Sequence, residues 1–211
     1  MRTTISRRRT DYGGNMKTLI AIPAMDRMYT ITAQCLANIR PVGDYGTKFM
    51  IGMQVDMARN LLAKFAIDHG FDRILWIDSD MTFDPDIMER LSADLDAGYD
   101  VVCGIFFKRK FPVEPVIYKR MSPDRIETFT DYPKDALFPV EGCGFGGVMM
   151  KTEVLLDLED APFTPRNGLG EDFSFCVRMA EHGRRIGCDS RVKMGHIGIS
   201  VYSEELYRHP E

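Results

Sequence analysis

The stretch ILWIDSDMTFDPD, residues 74–86, runs four apolar residues directly into two carboxylates, Asp78 and Asp80. An unbroken apolar run of this kind reads as a strand buried on both faces, the pattern of a parallel sheet. In open α/β sheets ligands gather at the carboxyl ends of strands, which is where the two aspartates fall. Two positions apart, they point the same way on an ideal strand. Adjacent carboxylates repel each other, and a divalent cation removes that cost; oxygen donors suit Mg²⁺ or Mn²⁺. A plainer reading stands beside this one: Asp78 caps the next helix and Asp80 is a solvated turn residue.

Working outward, KTLIAIP at 17–23 predicts a first strand ended by Pro23. Met28, Ile31, Cys35, Leu36 and Ile39 have helical spacing, and Pro41 and Gly43 break that helix. Phe49-Met50-Ile51 predicts a short second strand. Val55 to His69 is helical again, with Gly70 as its C-cap. Asp84-Pro85 reads as an N-cap and first helical residue, opening a helix to about Ala97, and DVVCGIFF at 100–107 is another buried strand. Strands alternating with helices imply an α/β fold with a mostly parallel sheet. After Lys108 the pattern changes: PVIYKR and ETFT predict a small antiparallel portion within 108–140. Glu141–Lys151 reads as a strand, 159–169 as a loop, and Glu171–His182 as a helix ended by Gly183.

At 211 residues the chain fits one domain with a substantial core. Its net charge of −4 argues against a general nucleic-acid binder. No apolar run approaches membrane-spanning length. Arg7-Arg8-Arg9 has no adequate apolar region behind it, so the N-terminus does not read as a signal peptide. Residues 1–15 read as a flexible tail or as a basic arm, with Met16 as an alternative start. Cys35, Cys103, Cys143, Cys176 and Cys188 are scattered and odd in number, which predicts reduced thiols in a cytoplasmic protein.

Three further segments complete the pattern: VEGCGFGGVMMK at 140–151, GLGEDFSFCVR at 168–178 and KMGHIG at 193–198. A strand ending in Asp-X-Asp, then a Gly-rich apolar segment, then Glu-Asp opening a helix, then a His, resembles the GT-A glycosyltransferases. The nearest resemblance is to family 2-like members, the small ones of bacterial and phage genomes, and it runs from about Met16 to about His196. It implies a single GT-A-like, Rossmann-like domain over 16–198, followed by a C-terminal tail or lid at 199–211. Tyr202, Tyr207 and His209 near the C-terminus read as a lid over the donor or as a frayed end.

The resemblance also implies site residues. Asp78, Asp80 and His196 would hold the metal, Mn²⁺ or else Mg²⁺, with imidazole favouring Mn²⁺. Pro23, Ala24 and Asp26 at the end of the first strand, Arg59, Asp78, Ser79, Gly146 and Gly147 would bind the nucleotide sugar. Asp172 would be the general base, and Glu171 would contact donor sugar or acceptor, with the two roles exchangeable. Each has a structural alternative. Asp26 can cap a helix, Arg59 can pair with Asp56 or Asp68, the acids can serve the helix dipole, and the glycines can serve packing alone. Lys108, Arg109 and Lys110 can meet a diphosphate or an anionic acceptor, or form a solvated face. Arg178 reads as structural.

Two features depart from the common pattern of the family. No clear second strand ends in a base-reading Asp, and the Q-x-x-R-W motif of polysaccharide synthases is missing. The implied reaction is transfer of a sugar from a nucleoside-diphosphate donor, a UDP-sugar favoured, to a hydroxyl acceptor on a glycan, a protein or a modified nucleobase. It would take place in the cytoplasm of a bacterial or phage-infected cell. A nucleotidyltransferase or a catalytically silent nucleotide-sugar or glycan-binding module are the alternatives; IPAMDR lacks the Gly-rich basic loop of the former.

Overall fold

The computed structural model describes residues 16–122, 125–158, 160–198 and 201–206. The N-terminal fifteen residues, Tyr207 and His209 lie outside the described residues. In chain order the first half contains β1 (Lys17–Ala24), α1 (Thr30–Ala37), β2 (Asp44–Ile51), α2 (Val55–Asp68), β3 (Arg73–Ile77), β4 (Met81–Thr82), α3 (Ile87–Asp96) and β5 (Val101–Ile105). The second half contains β6 (Ile117–Ser122), β7 (Arg125–Thr128), β8 (Leu137–Val140), β9 (Gly142–Cys143) and β10 (Gly147–Lys151). A 3₁₀ turn at Thr152–Leu156 follows, then α4 (Glu171–Glu181), β11 (Ile186–Lys193), β12 (Gly195–Ile197) and β13 (Val201–Tyr202).

The main sheet has seven strands in the order β2-β1-β3-β10-β5-β11-β8. β1 is parallel to β2 and β3, and β5 is parallel to β11. β10 inserts antiparallel between β3 and β5, and β8 closes the far edge antiparallel to β11. Five of the seven strands therefore share one direction, the mostly parallel sheet that the alternating pattern predicts. The antiparallel portion is a three-stranded sheet, β7-β6-β9. A second small sheet, β13-β12-β4, lies at the end of β3.

β3 shows why the apolar run matters. Ile74 and Trp76 enter the core on one face with Leu62 and Ala66 of α2 and Phe175 of α4. Leu75 and Ile77 enter the other with Met88 and Leu91 of α3. Both faces are covered, so no polar alternation can appear in the sequence. α2 and α4 end in the same way. Gly70 and Gly183 take φ of +66° and +65°. The amides of Phe71 and Arg184 then reach back to the carbonyls of Ala66 and Met179, closing Schellman turns.

Several boundaries differ from the sequence reading. β1 runs through Pro23 to Ala24; Pro23 lies beyond the last residue paired to β3, where a missing N–H costs no ladder bond. β2 is eight residues long rather than three, because its first part, DYGTK, is an exposed edge that carries no apolar signal. α3 starts at Ile87, with Asp86 rather than Asp84 preceding it. The Ile87 amide donates to the Asp84 carbonyl in a turn, and the Asp86 carboxylate is taken by Arg90 at 2.7 Å. The segment 141–151 is two strands broken at Gly144-Phe145-Gly146. β11 is a buried strand that the sequence reading missed, since Asp189 and Ser190 interrupt its apolar pattern. Ser190 is satisfied by the Pro133 carbonyl at 2.8 Å.

Asp189 pairs with Arg191 at 2.8 Å, and Arg191 reaches Asp94 of α3 at 3.5 Å. Burial, and then the facing Asp189 carboxylate, raises Asp94 from the ordinary aspartate value of 3.8 to about 7. Between those values the folded chain holds a proton that the unfolded chain releases, so this group makes stability fall as pH rises through that window. Asp94→Asn is therefore expected to raise the melting temperature more at pH 8 than at pH 5. Thermal unfolding at both pH values checks this; equal shifts would show that the pair does not titrate.

Candidate active site

The site forms where β3 ends. The amide of Asp78 donates to the carbonyl of Gly146 at 3.2 Å, so the Gly-rich segment runs beside the Asp-Ser-Asp turn. The glycines there have a steric reason. A Cβ on Gly144 would lie 2.7 Å from Val116, and one on Gly147 would lie 2.1 Å from the Met194 sulfur. Close approach at Gly144 lets the Phe145 amide reach Asp172 Oδ2 at 3.1 Å. Glu171 and Asp172 occupy the first turn of α4, where the helix dipole favours negative charge.

Arg59 joins these parts. It projects from α2 into the interior, its side chain only 1% exposed. Its Nη2 donates to Asp78 Oδ1 at 3.0 Å. Its Nε faces Asp172 Oδ1 at 3.6 Å and Glu171 Oε1 at 3.7 Å. The guanidinium lies 5.7 Å and 5.4 Å from the ring centres of Trp76 and Phe145, within cation–π range. Those rings belong to an aromatic cluster with Phe163 and Phe175. Burial opposes the charge of Arg59, yet Asp78, Asp172 and Glu171 together raise its pKa above the ordinary arginine value. Desolvation raises Asp78 despite Arg59, and raises Asp172 to about 8 with Glu171 adding to the effect. Arg59 Nε and Asp172 Oδ1 face each other as buried atoms without a full hydrogen bond.

Asp80 and His196 form a second group beside the first. β12 pairs antiparallel with β4 and sets His196 opposite Met81, and the Ile197 amide donates to the Asp80 carbonyl at 2.8 Å. His196 Nδ1 lies 3.0 Å from the Phe107 carbonyl, an acceptor, so Nδ1 carries the proton. Nε2, on the other side of the ring, faces Asp80 Oδ2 at 3.5 Å. Burial works against the charge of Asp80, but His196 and Arg109 bring its pKa below the ordinary aspartate value. Arg109 Nη1 donates to the same Oδ2 at 2.6 Å.

This donor set fits a divalent ion. A carboxylate oxygen and an imidazole nitrogen converge, the histidine's other nitrogen is fixed by a carbonyl as in many metal sites, and a cation already stands against Asp80. Among the described residues no three His, Cys, Asp or Glu side chains close around one point. Asp78, the third expected ligand, accepts from Arg59 Nη2 through its Oδ1.

The remaining sequence-predicted residues are spread around this centre. Pro23 and Ala24 end β1, and Ala24 and Met25 accept from the Gly52 amide. The Tyr29 amide binds the Ser79 carbonyl at 3.0 Å, tying the loop after β1 to the Asp-Ser-Asp turn. Asp26 does not cap α1, whose N-cap is Tyr29; its side chain is exposed near Arg27. Arg59 pairs with neither Asp56 nor Asp68; Lys64 takes Asp68 at 2.8 Å. Arg178 binds the carbonyls of Pro162 and Thr164. Sequence reasoning missed the carbonyl of Phe107 and the amide of Phe145, for which no side chain gives a signal. It saw Arg109 only as one charge in a basic run.

No protein-family model matches the chain, and no curated protein matches its sequence. Solved structures do resemble it. A197 from STIV matches with a TM-score of 0.66 and 22% identity, over 87% of this chain and 86% of that one. GalNAc-T7, solved with UDP, GalNAc and Mn²⁺, matches with a TM-score of 0.56 and 11% identity. That match takes in 95% of this chain and 46% of GalNAc-T7, so this chain spans under half of that protein. At such identities the likeness is one of fold, and the fold is GT-A-like.

Removing the Arg59 charge while keeping side-chain bulk, as in Arg59→Met, leaves buried carboxylates without their counter-charge. The expected cost is about 3–5 kcal/mol of unfolding free energy, as for other broken buried pairs. Urea unfolding measures it, and a loss under about 1 kcal/mol, the scale of an exposed ion pair, would mean that Arg59 does not hold the cluster together.

Proposed function

We propose that this protein is a metal-assisted glycosyltransferase that moves a sugar from a nucleoside-diphosphate donor to a hydroxyl acceptor with inversion. One observation carries the reading. Asp78 and Asp80 at the end of β3, Glu171 and Asp172 at the start of α4, and His196 on β12 come from segments up to about 120 residues apart, yet they gather at one strand end. That is the end where α/β folds place ligands. The UDP and Mn²⁺ held by GalNAc-T7 favour a UDP-sugar and Mn²⁺ here.

Asp172 is the proposed base. Its Oδ2 is anchored by the Phe145 amide while Oδ1 has no full hydrogen bond. Its desolvated carboxylate is a stronger base than an exposed one, which suits removal of an acceptor hydroxyl proton as that oxygen attacks the anomeric carbon. The nucleoside diphosphate leaves as the new bond forms. Arg59 keeps Asp172 and Asp78 in fixed relation. Asp80 and His196, joined by Asp78, would hold the ion, which when bound offsets charge on the leaving diphosphate. Pro23, Ala24, Ser79 and the exposed Asp26 would lie against the nucleoside. No described helix is long and apolar enough to cross a membrane.

Thermal stability measured against UDP, GDP, CDP and ADP, each with and without Mn²⁺, tests the reading. Stabilisation of about 2–4 kcal/mol at large ligand excess is expected from one nucleotide, only with Mn²⁺, and is lost in Asp80→Ala. Asp172→Asn should keep that binding and lower sugar transfer by roughly 10²–10⁴-fold, the range for a removed base. No response to any nucleotide, or one indifferent to Asp80, would turn the assignment away from a transferase.

A further inference from the structure

We propose that Arg109 is a ligand for the donor diphosphate that rests on Asp80 in the metal-free protein and is displaced from it by the divalent ion. The inference builds on the glycosyltransferase reading of the same site.

Three observations support it. First, Arg109 and His196 converge on a single atom. Asp80 Oδ2 accepts from Arg109 Nη1 at 2.6 Å and faces His196 Nε2 at 3.5 Å. An ion held by Asp80 and His196 would draw on the carboxylate edge that Arg109 occupies, and two cations crowded on one carboxylate edge repel in a partly buried site. The ion and the guanidinium therefore compete for Asp80.

Second, Arg109 is delivered by a pinned loop. The Phe107–Pro115 bridge closes its base. The Lys108 amide donates to the Glu114 carbonyl at 2.9 Å, and Lys108 Nζ pairs with Glu114 at 2.8 Å. The charge of Lys108 is thereby committed to Glu114, and Arg109 is the residue of the run that points at the strand end. Its side chain is 47% exposed, so it can rotate away from Asp80 without opening the core.

Third, the displaced group has a matching partner at hand. The arginine remains tethered within a side-chain length of the ion's ligands. A donor bound at that ion places its diphosphate there, and the planar guanidinium fork suits phosphate oxygens. Its contact with the Ile197 carbonyl, 3.4 Å away, is weak and easily exchanged.

The two roles give effects of opposite sign. Mn²⁺ affinity, measured from the electron paramagnetic resonance of the free ion, is expected to rise in Arg109→Ala because a competing cation is gone. Affinity for UDP in saturating Mn²⁺, measured by calorimetry, is expected to fall on the order of tenfold with loss of a charge-assisted contact. Arg109→Lys keeps the charge without the fork and should lie between the parent and Arg109→Ala in both measurements. Loss of both affinities in Arg109→Ala, or a change in neither, overturns the proposal. If the parent binds Mn²⁺ and UDP and Asp80→Asn abolishes this, that overturning leaves the transferase reading intact. If the parent binds neither, both fall together.

Discussion

A positive charge buried almost completely inside the sheet–helix interface, that of Arg59, sets the geometry of everything around it. An arginine in such a place is tolerated only when its charge and its N–H groups are met. Here Asp78 and the Phe145 carbonyl accept from the terminal nitrogens, and Glu171 and Asp172 offset the charge at longer range while Nε lacks a full hydrogen bond. The partners come from β3, from the break between β9 and β10, and from the start of α4. One side chain thus fixes the relative positions of three segments far apart in sequence. The aromatic cluster of Trp76, Phe145, Phe163 and Phe175 excludes water below it, and so strengthens each of these attractions.

The site divides its charges between two neighbouring groups. On one side a buried cation is shared among acids whose protonation is pushed upward by desolvation. On the other, Asp80 is kept ionised by His196 and by a cation on a surface loop. The first group is rigid and belongs to the core. The second is half open and built from edges: β4, β12 and the loop after β5. On the proposed glycosyl-transfer reading, the first group would supply a base held in place and the second an exchangeable cation site, as group transfer from a charged donor requires.

Much of this was legible in the sequence because burial left a pattern. The run 74–77 needed apolar residues on both faces, and the alternation of strands and helices followed from the same need. The motifs around Asp78, Glu171 and His196 were visible as chemistry-bearing residues at breaks in that pattern. What escaped was decided by tertiary pairing. β11 carries Asp189 and Ser190 in a buried strand, and only their partners Arg191 and Pro133, the latter in another segment, make that acceptable. The edge strand β2 had no apolar code to read. The guanidinium of Arg59 looked like a surface or ligand-facing fork, because nothing local says that three acids wait for it across the core.

The antiparallel insertion of β10 has a consequence for how the chain assembles. β3 and β5 belong to the first half of the sequence, yet the strand that joins them begins at Gly147. Until the chain has been made to about residue 150, the sheet is two separate pieces with facing unpaired edges, and the first half has no continuous core. Pairings of such long sequence separation pay their loop-closure entropy before they gain contacts. The central seam of the sheet therefore closes only once β10 has emerged, and the acids of α4 and the histidine of β12, which follow it in the chain, join the end of β3 later still.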